Sequence, residues 1–273
     1  MKIRSVTHRR IPGMALAVAA LILSIQCGRG EPRTEAERAA RGRELVEAMS
    51  RKLSSAAALS VRTSERSERI RPGGAIQPVA LTRETSMRRP DRFHFKTAGD
   101  MQVESWYDGI GLTIAMHKEK VFAQARMPET LDRVLDTLHE RYGIATPLGD
   151  FLYSSPAHAL LPETTTGGWV GRETIDGLQT DHLAFKDQGV TWEIWLAASD
   201  ELPRKFRAEF AGDQRLRKVE ATFTDWNLRP SLSADLFKPN VPPDYEGIAI
   251  LQRARALRNL PPVTSPTSGP IRK

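Results

Sequence analysis

The sequence predicts a mainly β, α+β fold organised on an antiparallel sheet, and three observations carry that prediction. The first is a period of two sustained from Trp169 to Trp226. Trp192, Ile194 and Leu196 alternate with Glu193 and Trp195; Phe206, Ala208 and Phe210 alternate with Lys205, Arg207 and Glu209; Val219, Ala221 and Phe223 alternate with Glu220, Thr222 and Thr224. Successive side chains of a strand point to opposite faces, so this pattern means a sheet with one apolar and one wet face. The second is a pair of hairpin signals, Asp176-Gly177 and Asp108-Gly109, each set between strand-like runs and built of residues that tolerate positive φ. The third is a switch to helical periodicity at Pro128, between two halves of the β pattern.

In chain order, the N-terminus comes first. A basic segment with Lys2, Arg4, Arg9 and Arg10 precedes an apolar run from Met14 to Ile25, and Gln26, Cys27 and Gly28 follow. About a dozen apolar residues behind a basic head make an export signal over residues 1–27, too short for a comfortable membrane span. Cys27, the sole cysteine, stands where a bacterial lipoprotein is lipidated, although Ser24 and Gln26 replace the usual Leu and Gly or Ala. Three fates are open: a lipid on Cys27 giving membrane contact, cleavage with an incidental Cys27, or an uncleaved anchor. A single cysteine allows no internal disulfide and no Cys-based zinc site.

Thr34 to Glu37 is a capping-box signature opening a helix to about Leu53, with Leu45, Ala48, Met49 and Leu53 as its apolar stripe. ALSVRTSERSERI alternates weakly and is broken by RPGGAIQP. VALTRETSMRRPDRFHFKTAG holds two strand-like pieces, with Phe93 and Phe95 sharing a face, and MQVESWYDGIGLTIAMHKEKVFAQA adds three more. From Pro128 to Gly143, the apolar positions Leu131, Val134, Leu135, Leu138 and Tyr142 mark one face of a helix. Short apolar pieces follow to Leu161. This helical insertion, 128–161, is the natural cap for the sheet's apolar face. Ile248 to Asn259 has the spacing of a basic amphipathic helix, and the Pro/Ser/Thr-rich end of the 248–273 tail has a disordered composition.

The pieces WYDGIGLTI, ETLDRVLDTLHERYGIATPLGDFLYSSP, GWVGRETIDGLQTDHLAF, TWEIWLA with LPRKF, TDWNL and DLFKPNVPP occur in this order. Together, over about residues 40–247, they resemble a family of exported bacterial proteins classed as a domain of unknown function. That family is similar to the LolA/LolB/LppX lipoprotein-carrier superfamily. The resemblance implies a curved antiparallel half-barrel with helices packed on the concave face, as a single domain over 34–247. It also implies an apolar cavity for acyl chains, and no catalytic residue.

Composition narrows the function classes. With 40% hydrophobic and 27% charged residues the chain is an ordinary globular one. The formal charge of +7 falls to +3 once the four signal cations are set aside, and there is no basic stripe interleaved with aromatics, so nucleic acid is not an expected partner. The chain has no nucleophile elbow, phosphate loop, dinucleotide fingerprint or zinc-protease motif. Its histidines are scattered without metal-ligand spacing. Asp181 and His182 are adjacent in a strand and point to opposite faces, which rules out a shared catalytic role. No cofactor, metal or catalysis is expected.

What remains is apolar. Trp192, Ile194, Leu196, Phe206, Phe210 and Phe223, with Leu112, Ile114 and Phe122 from the first half, are expected on one face beneath Leu131, Leu135 and Leu138 of the cap. Burying each contributes about 1.5–3 kcal/mol, so this face cannot stay open to water. The expected function is an exported, non-enzymatic envelope protein, periplasmic or membrane-anchored, holding a lipid or a lipoprotein's acyl chain. The alternative is an envelope interaction or sensor protein with a filled core and a protein partner.

Overall fold

The computed structural model describes residues 31–250 apart from 72, 145, 147 and 213–215. Cys27, the rest of the expected export signal and residues 251–273 lie outside the described residues.

The expected capping box is present: Glu37 N donates to Thr34 Oγ1 at 3.1 Å, and Thr34 N donates back to Glu37 Oε2 at 3.0 Å. It opens α1 (Glu35–Ser55). The buried stripe of α1 is Gly42, Leu45, Val46, Met49, Ser50 and Leu53. Val46 thus takes the place expected for Ala48, which is half-buried.

The sheet is built from β1 (Ala58–Ile70), β2 (Ile76–Arg88), β3 (Arg92–Gly99), β4 (Val103–Tyr107), β5 (Gly111–Met116), β6 (Val121–Arg126), β7 (Thr166–Ile175), β8 (Leu178–Asp187), β9 (Val190–Ala197), β10 (Pro203–Phe210), β11 (Leu216–Asn227) and β12 (Glu246–Ile248). Its order is β12-β6-β5-β4-β3-β2-β1-β11-β10-β9-β8-β7. All pairings are antiparallel except that of β12 with β6. Two meanders are therefore zipped together by β1 against β11, giving an open, curved half-barrel with edges at β12 and β7.

This topology forces the position of the cap. β6 lies next to one edge and β7 forms the other, so the chain between them must cross the sheet. It crosses the concave side, carrying α2 (Leu131–Glu140), a 3-10 turn (Gly149–Leu152) and α3 (Pro156–Leu160). Leu131, Val134 and Leu138 of α2, Phe151 of the turn and Leu160 of α3 join the sheet's inner residues in one hydrophobic cluster.

The turns follow the residues. Asp176 and Gly177 both adopt positive φ, 49° and 80°, in a two-residue β7–β8 turn whose twist matches the flanking strands. Asp108 Oδ1 accepts from Ile110 N and Gly111 N at 3.0 and 2.8 Å, closing the β4–β5 turn around Gly109.

Two expectations are corrected and one weak signal is resolved. α2 begins at Leu131 and not at Pro128, because Thr130 is its N-cap and the Tyr107 hydroxyl donates to the Pro128 carbonyl upstream of it. The weakly patterned ALSVRTSERSERI is a 13-residue central strand, β1. Ile248 belongs to β12, beside β6, and not to a helix.

Candidate functional site: an apolar cavity under the cap

The two halves of the concave face are filled differently. Over β8–β10 the inward residues are buried, and α1 covers β7. α1 lies against β7 so closely that a Cβ on Gly42 would stand 2.6 Å from Gly168 Cα, and one on Gly168 would stand 2.3 Å from the Arg38 carbonyl oxygen. Phe185 stacks on Trp192 with centroids 4.4 Å apart, and Ile194 and Leu196 are sealed beside them.

Over β1–β5 a cavity of about 380 Å³ remains, within the size range of small-molecule sites. Its floor includes Val61, Thr85, Met87, Phe93, Phe95, Leu112 and Ile114. Its roof is Leu131, Leu135 and Leu138 of α2 with Ile144, Leu148 and Leu152, and Phe223 and Trp226 of β11 close one side. No residue of α1 or of β7–β10 lines it. Phe151 stands on the border, edge-on to both Phe206 and Phe223 at 5.4 Å.

The roof is tied down by hydrogen bonds. Ser154 donates from N and Oγ to the two Asp132 carboxylate oxygens at 2.8 and 2.5 Å, and Tyr153 OH donates to Asp136 Oδ1 at 2.8 Å. The Arg89 guanidinium donates to the Leu152 and Tyr153 carbonyls at 3.3 and 2.9 Å. Burial pushes the Tyr107 hydroxyl up to about 12, so it remains a donor to Pro128 through the physiological range.

Of the expected ligand-contacting residues, the structure gathers Leu112, Ile114, Leu131, Leu135, Leu138 and Phe223 around the cavity. Trp192, Ile194, Leu196 and Phe206 lie buried in the other half and do not line this cavity, and Phe210 packs half-buried at that core's margin. Phe122 is a correction of face. It pairs with Ala115, not with Ile114, so strand parity turns it outward, where a Cβ on Gly247 of β12 would stand 3.4 Å from its ring.

Several cavity residues escaped the sequence reading. Phe93 and Phe95 had the right alternation but no register to link them to Leu112 and Ile114. Trp226 reaches the concave face because Asp225, at φ 56°, and a register shift against β1 interrupt the alternation. No local signal announces that bulge. Phe151 sits in a 3-10 turn without periodicity.

Two histidine–carboxylate clusters lie elsewhere, on the outer face. His182 stacks on Trp195 at 4.3 Å and stands 2.8 Å from Glu173 and 2.9 Å from Glu193, while Asp181 turns inward to accept from Trp169 Nε1 at 2.8 Å. Those two adjacent residues do serve opposite faces. Glu104 bridges His94 at 2.8 Å and His117 at 3.1 Å, and His117 reaches Tyr245 OH at 2.8 Å. Burial pushes Glu104 up, but the His94 hydrogen bond, Lys96 and His117 together outweigh it and hold the carboxyl below its usual value. These groups rivet neighbouring strands and face no cavity. Among the described residues no group of three or more His, Cys, Asp or Glu is arranged to hold a metal ion, and no helix is long and apolar enough to cross a membrane.

Fold and site define a class: a β half-barrel with helices on its concave side and an apolar cavity beneath them. Residues 42–251 match the model of the predicted periplasmic protein family DUF2092, and the chain belongs to that family, a family of the bacterial envelope. No curated protein sequence matches it. Among solved structures it is similar to the MucA/MucB complex of Pseudomonas aeruginosa (16% identity, TM-score 0.39, 72% of this chain and 61% of that one). It is also similar to LppX of Mycobacterium tuberculosis (10%, 0.38, 70% and 97%) and to a LolA superfamily protein of Nitrosomonas europaea (12%, 0.31, 73% and 98%). The chain spans less than two thirds of the MucB chain it matches. At such distances, ligand and partner have to be argued from this chain's own residues.

Proposed function

We propose that this protein is a non-catalytic binder of a lipid or of a lipoprotein's acyl chain, held in the cavity between β1–β5 and α2. The observation that carries the proposal is a cavity of about 380 Å³ whose floor and roof are mainly apolar. Each methylene transferred from water into such a space contributes about 0.8 kcal/mol, so a long alkyl chain could supply the driving force alone. The filled half of the sheet supports the proposal indirectly. It supplies the stability that lets the other half remain incompletely packed.

The test is native mass spectrometry of the full-length protein with Cys27→Ser, expressed with its own leader and purified from the envelope fraction. The expected result is a stoichiometric adduct of lipid mass, lost in Leu135→Asp while circular dichroism shows the fold retained. A clean apo mass that stays unshifted after incubation with envelope lipids would overturn it. The interaction-protein reading, with a protein partner and no lipid, would then take its place.

A further inference from the structure

One end of the cavity is not apolar. Along β1 the inward-facing residues change from Leu59 and Val61 to Thr63, Glu65 and Arg69, and Arg83 of β2 faces Thr63 across the pair. Glu65 is engaged at both oxygens: Arg83 donates to Oε2 at 3.0 Å and Thr63 Oγ1 donates to Oε1 at 2.7 Å. The Glu65 carboxylate, 5% exposed, thus neutralises Arg83.

Arg69 has no equivalent. Its Nε is buried without a hydrogen-bond partner among the described residues. The residues lining the cavity include Arg69 and Arg83 but no Asp or Glu. Burial, then repulsion from Arg83, lowers the Arg69 pKa against the opposing pull of Glu65, the direction expected of a cation with too little negative charge around it. A guanidinium nonetheless stays charged in proteins and presents a planar fork suited to carboxylate or phosphate oxygens. Ser105 Oγ, fully buried on the cavity wall, also lacks a hydrogen-bond partner. Ser105, paired with Phe95 and Ile114, marks a polar point along the wall, while Arg69, opposite Gln77, stands at the end.

We propose that this end is a head-group subsite, and that the ligand is a single-chain amphiphile with one anionic group, a carboxylate or phosphate. Arg69 takes the anionic oxygens, Arg83 adds positive charge behind it, and the chain runs toward Leu112, Leu131 and Leu138. The proposal rests on the lipid-binding reading above and narrows it to a ligand class.

The experiment uses the full-length Cys27→Ser protein stripped of lipid, and compares hexadecanoate, hexadecyl phosphate, hexadecanol and inorganic phosphate by isothermal titration. The two anionic amphiphiles should bind at least about tenfold tighter than hexadecanol, a difference of ~1.4 kcal/mol. Arg69→Met should erase most of that preference while leaving hexadecanol binding in place, and Arg69→Lys should retain part of it. Equal affinity for hexadecanoate and hexadecanol, unchanged by Arg69→Met, would overturn the subsite and leave the lipid reading standing. Inorganic phosphate binding as tightly as hexadecyl phosphate would overturn the amphiphile in favour of a free anion. Failure of all three long-chain compounds to bind would overturn the lipid reading, and the subsite with it.

Discussion

Glu104 shows how single residues on the wet face hold the sheet together. It sits on β4 between His94 of β3 and His117 beyond β5, so one carboxylate ties three successive segments of the meander. Because its folded pKa lies below the ordinary value of 4.5, its contribution is complete above that value and is lost as pH falls through the folded one. Glu104→Gln should therefore cost about 1.5–3 kcal/mol at neutral pH, the range for charged hydrogen bonds. The gap between variant and parent should close as the solution is acidified below pH 4.5. Urea unfolding at several pH values measures it, and a gap that persists at low pH would mean that packing, not charge, makes the difference. The histidines were visible in the sequence as isolated residues. Their convergence was not, because it depends on which strands become neighbours.

At the scale of elements, the α1–β7 crossing decides how closely the second half of the sheet is covered. In an ordinary helix interior, replacing Gly by Ala stabilises by about 1 kcal/mol. At Gly42 the sign should reverse, since the new Cβ would meet Gly168 backbone at 2.6 to 2.8 Å and nothing there is a flexible side chain. Gly42→Ala should destabilise by about 1–3 kcal/mol, the cost of overpacking, measured by chemical denaturation. A stabilised variant would show that the helix stands further from β7. The position of α1 was legible from its capping box and stripe, and α2 from its apolar spacing. The strand β1 was barely legible, and the reason is physical. Its inward residues Thr63, Glu65 and Arg69 are polar, so the alternation that announces a half-buried strand is missing where the strand borders the charged end of the cavity.

Across the whole molecule, Phe151 separates a filled half from an open one. Its ring packs edge-on between Phe206 and Phe223 and ends the cavity there. Phe151→Ala should lower stability by about 3–5 kcal/mol, as large-to-small core changes do, and join the cavity to the space beside Phe206. Native mass spectrometry with a series of fatty acids should then show a shift toward longer chains than the parent prefers. Unchanged chain preference in a folded variant would place the ligand elsewhere.

The sequence by itself determined the periodic features of this protein: the sheet with one apolar face, the hairpins at Asp108-Gly109 and Asp176-Gly177, the capped helix α1 and a helical segment placed to cover the sheet. These depend on the twofold and 3.6-residue repeats of strand and helix, which are local and can be read along the chain. Only the tertiary structure decided the rest. It joined β1 to β11, turned Phe122 outward and, through a bulge, Trp226 inward. It also filled the space over Trp192 while leaving the space over Phe93 and Leu112 open. Those outcomes depend on register and on how volumes fit between elements distant in sequence. One residue of slip moves a side chain to the other face, and no local pattern records it.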